Sequence, residues 1–318
     1  MKKLLQKLLA FLFIGSLLGI FLLQKFRPWQ PEKKDPEKEW LKRQNDRKDQ
    51  LYVICQNENL SSSEWKLKDR VARQLFVVQR LRLIYCEVPK VGCSNWKRIL
   101  LLLTLNLDRD PSEIDQNEIH RTGFLKRLSS YPSEQQMELL DNYTKVMFTR
   151  HPLERLVSAY RDKLLHNEPY YGIILTNEIK ALLRKNINST KEVTFQEFVQ
   201  YVVTRKPKDL DIHWKPMFAL CDPCNIHYDI LGKYETLAQD AKQVLKRIGA
   251  PESLHYPNTK MYSSEKRTNK NITWEYLREL SWNHIGKLKE IYRMDFSLFN
   301  YSFNFRNETL PLRFNHTK

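Results

Sequence analysis

The sequence predicts an α/β domain with a mostly parallel sheet flanked by helices. Three observations carry that expectation. Apolar, β-branched runs and helix-period runs alternate in three strand–loop–helix units. Two of the connecting loops hold residue types that grip anions, and they fall where a parallel sheet places its ligands, beyond the C-terminal ends of strands. The chain reads as globular from about Leu67 to about Phe305, roughly the length of one such domain.

The chain begins "MKKLLQKLLAFLFIGSLLGIFLLQKFR", with an uncharged run from Leu8 to Gln24 between Lys7 and Lys25. At ~1.5 Å per residue this run spans about 25 Å, enough for a thin bilayer. A signal-anchor at residues 8–24 behind a cytoplasmic tail of residues 1–7 is expected. A cleaved signal peptide is the alternative, but the run is long for one and no small-x-small site precedes "QKFRPWQ". Basic residues flank the run on both sides, so charge alone does not orient it. Sequons at Asn59, Asn142, Asn188, Asn271, Asn300, Asn307 and Asn315 favour a lumenal C-terminal part. Residues 25–66 are charged, Pro-broken and poor in apolar periodicity, which predicts an extended or loosely helical stem. Residues 67–318 make up the lumenal domain.

The first unit is "LRLIYCEVPKVGCSNWKRILLLL": a buried strand, the loop Pro89-Lys90-Val91-Gly92-Cys93-Ser94-Asn95, then an apolar helix. Loop N–H groups, a helix N-terminus and a lysine make a phosphate cradle, although the nucleotide-kinase pattern G-x-x-x-x-G-K-[ST] is absent. An ordinary strand–turn–helix with a surface lysine is the bland alternative. In the second unit, "TKVMFTRHPLERLVSAYRDKLL", a strand over Lys145–Arg150 meets Pro152, which suits a helix start. The third, "YDILGKYETLAQDAKQVLKRIGAP", has a strand running to Tyr234 and a helix stopped by Gly249 and Pro251. Between the second and third lies "TFQEFVQYVV", with Thr194 and Glu197 as a capping box and its apolar face in the core.

The formal net charge of +16 points to an acidic partner. The sequons and the apolar run make nucleic acid an unsuitable one. Five cysteines in an oxidising compartment leave at least one thiol free or paired between chains. "CDPCNIH" offers Cys221, Cys224 and His227 as a zinc half-site, but no second Cys-x-x-Cys completes it. A disulfide using Cys221 or Cys224 is the stronger reading, with its connectivity open.

A strand-Pro-Lys-x-x-x-[ST]-helix unit, followed about sixty residues later by a strand-Arg-x-Pro-x-x-Arg-x-x-Ser helix, resembles the donor site of sulfotransferases. With "HW…LCDPCNIHYDILGKYETL" and "IYRMDFSLFNYS" added, the chain resembles the Golgi carbohydrate sulfotransferases of the HNK-1 and chondroitin/GalNAc 4-O-sulfotransferase family over about residues 80–303. The resemblance implies a sulfotransferase (P-loop NTPase-like) fold and the sulfate donor 3′-phosphoadenosine 5′-phosphosulfate, with no metal. It also implies a type II Golgi membrane protein and a glycan or glycosaminoglycan acceptor.

Carried over by position, Pro89, Lys90, Val91, Gly92, Cys93, Ser94 and Asn95 would cradle the 5′-phosphosulfate, with Lys90 on the oxygen bridging phosphorus and sulfur. Arg150 and Ser158 would hold the 3′-phosphate, within a donor segment that also includes His151, Pro152, Leu153, Glu154, Arg155, Leu156 and Val157. His151 departs from the acidic residue usual in the family. A general base is needed for the acceptor hydroxyl, and His suits neutral pH. His120 stands at the family's matching place, and His213 is the runner-up, with a positioning or substrate-binding role. Lys266 and Arg267 would close over the nucleotide phosphates, or form a solvated basic loop. Two other classes compete. A metal-dependent glycosyltransferase would use an Asp-x-Asp such as Asp108–Asp110 or Asp209–Asp211. A non-catalytic glycan-binding protein would keep the fold and lose turnover.

Overall fold

The computed structural model describes residues 2–3, 35–121, 123–166, 168–185, 190–260 and 264–303, with the side chains of His120 and Arg121 outside the description. The expected signal-anchor at residues 8–24 and the sequons at Asn188, Asn307 and Asn315 lie outside the described residues. Among the described residues no helix is long and apolar enough to cross a membrane. The chain divides into residues Met1–Leu41 and Lys42–Lys318; everything below concerns the second unit.

Its centre is a four-stranded sheet in the order β1 (Leu75–Val78), β2 (Leu83–Cys86), β3 (Thr144–Thr149), β4 (Ile230–Lys233). β2, β3 and β4 run parallel, with Tyr85 opposite Val146 and Val146 opposite Ile230. β1 pairs antiparallel with β2 and forms one edge. The β1 and β2 side chains are buried throughout, as are nearly all of those in β3, which is why these strands read as continuous apolar runs rather than alternating ones. β1 was not foreseen. It is four residues long, and its turn to β2 places Arg82, not a glycine, at φ 49°.

Helix α2 (Cys93–Leu105) leaves β2 through the first loop, α3 (Pro152–Lys163) leaves β3, and α4 (Leu237–Arg247) follows β4. All three match the strand–loop–helix units read from sequence. Trp96 anchors α2: it is fully buried, with its ring 5.4 Å from Tyr85, 5.1 Å from Phe148 and 5.7 Å from Tyr256. Leu153, Leu156 and Val157 turn α3 into a core that also takes Phe195, Phe198, Trp214 and Tyr292. The capping box at Thr194 and Glu197 is present, and Gly249 adopts φ 68° just past α4.

The segment expected as an extended or loosely helical stem contains a regular helix, α1 (Pro36–Asn57). Its residues from Lys42 onward belong to the body of the domain. The Gln44 amide continues the ladder at the edge of β4, accepting from Leu231 N–H at 2.9 Å and donating to Leu231 O at 3.2 Å. Arg47 pairs with buried Asp240 at 2.9 Å. Cys55 is bonded to Cys224. These partners lie far away in sequence, so apolar periodicity could not reveal them.

A second disulfide joins Cys86, at the end of β2, to Cys221. The zinc half-site reading of Cys221, Cys224 and His227 is thereby overturned, because neither sulfur remains available as a thiolate ligand. Cys93 is the free thiol. The sequons at Asn59, Asn142, Asn271 and Asn300 are exposed.

Candidate active site

The loop after β2 is built to present backbone donors. Among the described residues, no well-aligned hydrogen bond takes the N–H groups of Val91, Gly92, Cys93, Ser94 and Asn95. Five successive free donors at the N-terminus of a thirteen-residue helix form an anion cradle. Two positions hold its shape. Gly92 has φ 88°, and a Cβ there would clash with the Tyr256 hydroxyl, which donates to Gly92 O at 2.9 Å. Lys90 has φ 71°, a conformation that side chains other than glycine adopt only when their surroundings enforce it.

The enforcement is visible. Arg150, at the end of β3, donates from Nη1 to Lys90 O at 3.0 Å and from Nη2 to Thr268 O. It is 2% exposed, lies 4.1 Å over the Tyr234 ring and sits 3.8 Å from Glu154. Its Nε is buried with no hydrogen bond among the described residues and faces Glu154 Oε2 at 3.8 Å. The two loops singled out in the sequence are thus parts of one site.

Glu154, Ser158 and Asp162 follow at every fourth position of α3 and share one face. Asp162 pairs with Lys90, Oδ2 to Nζ, at 3.0 Å. Burial pulls the Lys90 ammonium below its usual range, and Asp162 opposes that shift. Ser158 lies half-buried between them on the helix. Sequence reasoning missed Asp162, although the polar stripe on an otherwise apolar helix was a usable signal.

Arg155, placed by sequence in the donor-binding segment, has a different task. Fully buried, it donates to three backbone carbonyls: Pro89 at 2.9 Å, Lys215 at 2.7 Å and Ile212 at 2.7 Å. Leu153, Leu156 and Val157 are likewise core rather than lining. His151 anchors the segment from outside. Its N–H donates to Glu235 at 3.1 Å, and its Nε2 lies 2.9 Å from Ser302 O. Its ring meets Phe296 and Tyr301 edge-on, and burial lowers its pKa. Glu235 therefore brings an acidic group to the place where the sequence lacks one.

His213 lies beside this centre. Its Nδ1 is 2.7 Å from Asp211 Oδ1, and Tyr171 donates to Asp211 Oδ2 at 3.0 Å. Lys266 and Arg267 are exposed at the rim. Arg161 donates to Lys266 O at 3.0 Å, and Arg267 reaches Asn258 at 2.7 Å and Thr259 O at 3.3 Å. Thr259 in turn bonds Asn95 of the cradle at 2.6 Å. The basic loop is thus tied to both anion-holding segments. His120 sits in the helix Gln116–Arg121, and its side chain is outside the described residues. Gln116, opening that helix, bonds Ser94 at 3.3 Å and Arg98 at 3.1 Å.

Among the described residues no group of three or more His, Cys, Asp or Glu is arranged to hold a metal. Of the two Asp-x-Asp triplets, Asp110 caps a turn through Ser112 and Asp211 is engaged by His213.

Comparison with known proteins agrees with this geometry. The model of the sulfotransferase family matches residues 73–302. Carbohydrate sulfotransferase 8 of Mus musculus is 38% identical over 283 residues, covering 86% of this chain and 68% of that protein. Carbohydrate sulfotransferase 9 of Homo sapiens is 40% identical over 237 residues, 72% of this chain and 53% of its own. Carbohydrate sulfotransferase 11 of Rattus norvegicus is 37% identical over 267 residues, 80% and 75% respectively. No solved structure matches. With the match extending through β1 to β4 and the loops that follow β2 and β3, this chain belongs to the sulfotransferase family and is an enzyme that transfers sulfate.

Proposed function

We propose that the enzyme transfers the sulfuryl group of 3′-phosphoadenosine 5′-phosphosulfate to a sugar hydroxyl. The observation that carries this is the cradle of five unpartnered N–H groups, fixed to Arg150 through Lys90 O. The donor supplies an activated sulfuryl group on a phosphate leaving oxygen. Residues 91–95 bind the 5′-phosphosulfate, and Lys90 meets the bridging oxygen as charge develops there. Arg150 and Ser158 hold the 3′-phosphate, the arginine offering an Nε that makes no hydrogen bond among the described residues and lies 3.8 Å from Glu154.

The acceptor is position 4 of N-acetylgalactosamine in chondroitin, dermatan or glycoprotein glycans. The carbohydrate sulfotransferase relatives and the +16 charge support a carbohydrate acceptor, often polyanionic. Position 3 of glucuronic acid is the rival outcome of the test. The apolar run at residues 8–24 and the exposed sequons support a type II Golgi membrane protein with a lumenal catalytic domain. Labelled-sulfate transfer to desulfated chondroitin, desulfated dermatan, a terminal β-N-acetylgalactosaminide and a terminal glucuronide, with disaccharide analysis, tests the proposal. Label on position 4 of the galactosamine supports it; label confined to the glucuronide moves the acceptor. Transfer to none of them, with no binding of adenosine 3′,5′-bisphosphate, overturns it.

A further inference from the structure

The geometry points to His213 as the catalytic base that takes the proton of the acceptor hydroxyl, with Asp211 and Tyr171 positioning its ring. This rests on the reading of the site as a sulfuryl-transfer centre, and adds to it the residue that activates the acceptor.

The first argument is orientation. The Asp211 carboxylate accepts twice from His213: from its backbone N–H at 2.9 Å and from ring Nδ1 at 2.7 Å. The Tyr171 hydroxyl donates to the other carboxylate oxygen at 3.0 Å and lies 3.1 Å from Nδ1. With the Nδ1 proton committed to Asp211, Nε2 carries the free lone pair. No hydrogen bond among the described residues uses Nε2. A carboxylate that fixes the tautomer of a histidine and later balances its positive charge is the arrangement a general base requires.

The second argument is placement. One guanidinium, that of Arg155, binds both Pro89 O and Ile212 O. Lys90 and His213 are the next residues after these two carbonyls, so the staple fixes together the two backbone segments that carry the lysine and the histidine. A second path joins them through side chains. Lys90 pairs with Asp162 at 3.0 Å, Lys163 lies 3.6 Å from the same carboxylate and 4.9 Å over the Tyr171 ring, and that ring is 5.2 Å from the ring of His213.

The third argument is charge state. Burial lowers the His213 pKa; Asp211 raises it, and Lys163 and Lys90 lower it further. Asp162 also faces the ring, while Arg155 and Lys215 act through Asp211. The imidazole is therefore neutral, and ready to accept a proton, at neutral pH.

In the step itself, the acceptor oxygen forms a bond to sulfur while its proton passes to His213 Nε2. The bond from sulfur to the bridging oxygen breaks, and its electron pair leaves on the phosphate oxygen, where the Lys90 ammonium receives it. The imidazolium is balanced by Asp211 and returns its proton to solvent.

The test compares wild type, His213→Gln, Asp211→Asn and His120→Gln on the full chain. It uses the acceptor selected by the panel above and measures binding of adenosine 3′,5′-bisphosphate by calorimetry in parallel. His213→Gln should lower kcat by about 10²–10⁴-fold, with bisphosphate affinity within about threefold of wild type. Asp211→Asn should move the acidic limb of the kcat–pH profile to lower pH, because the lost carboxylate was holding the His213 pKa up. A purely structural role would lower kcat without moving that limb. The proposal is overturned by near-wild-type kcat in His213→Gln, or by an unmoved limb in Asp211→Asn, which decides alone if His213→Gln does not fold. Loss confined to His120→Gln assigns the proton to the helix Gln116–Arg121. Absence of bisphosphate binding in wild type would instead sink the reading of the site itself.

Discussion

Arg155 Nε donates to Pro89 O at 2.9 Å, so a helix that follows β3 holds the backbone of the loop that follows β2. The same side chain reaches Ile212 O and Lys215 O, so three segments meet on one buried cation. Among the described residues no carboxylate pairs with it; carbonyl dipoles stabilise the charge, with Asp295 and Asp211 acting at longer range. Lysine cannot replace that fork, since its three donors diverge from one point. Arg155→Lys should cost about 2–4 kcal/mol, as buried carbonyls lose partners at ~1–3 kcal/mol each. Urea unfolding measures the loss. A midpoint unchanged from wild type would show that the staple contributes nothing.

The disulfides make a second stability prediction. Cys86–Cys221 closes a sequence separation of 135 residues and fixes the end of β2, immediately before the cradle. Cys55–Cys224 closes 169 residues and ties α1 to the body. Chain-entropy arguments put loops of this length at roughly 4–5 kcal/mol each. Cys86→Ser with Cys221→Ser should lower both stability and bisphosphate affinity, because the strand end carries the cradle. Cys55→Ser with Cys224→Ser should lower stability alone. Calorimetry on the two double variants distinguishes them, and equal effects on affinity would contradict the assignment.

Much of this site was legible because its signals are local. Pro152 at a helix start, the Thr194–Glu197 box and the Lys90 loop between strand and helix each need only a few residues of context. What escaped depends on distance. β1 is four residues whose identity as a strand comes from pairing with β2. Arg155 read as a ligand because anion-binding and carbonyl-binding arginines look alike in a sequence, and its acceptors are backbone atoms 57 to 66 residues away. Asp211 read as half of an Asp-x-Asp triplet, yet its bond to His213 at 2.7 Å gives it another role.

The Lys90–Asp162 pair has a pH signature. Burial depresses the Lys90 pKa below its ordinary value, and Asp162 limits the depression. A lysine acting as its ammonium loses activity as pH rises through its pKa, so it sets an alkaline limb in kcat. Asp162→Asn removes the opposing charge, and Lys90 should then deprotonate at lower pH. The alkaline limb should move down in pH, with kcat near pH 6 falling less than kcat near pH 9. A limb that stays in place would separate Asp162 from Lys90 in the working enzyme.

The final prediction separates the two anion-holding positions. In the proposed reading, Lys90 acts where charge appears only as the sulfur–oxygen bond breaks, whereas Arg150 acts on a phosphate whose charge is the same before and during reaction. Interactions made only in the transition state raise kcat, while uniform ones chiefly lower KM. Lys90→Ala should therefore cut kcat by about 10²–10³-fold. Arg150→Ala should chiefly raise the donor KM and narrow the preference over adenosine 5′-phosphosulfate, which lacks the 3′-phosphate. Arg150 also holds Lys90 O at 3.0 Å, so some loss of kcat accompanies that change. Arg150→Lys, which keeps the charge and loses the fork, should recover part of the donor preference. Ser158→Ala should follow the same pattern more weakly, since a neutral hydrogen bond is worth less than a charge-assisted one. Steady-state kinetics with both donors decides. Full discrimination retained in Arg150→Ala would remove residues 150–158 from the 3′-phosphate, and the His151–Glu235 contact would be the first place to look for its replacement.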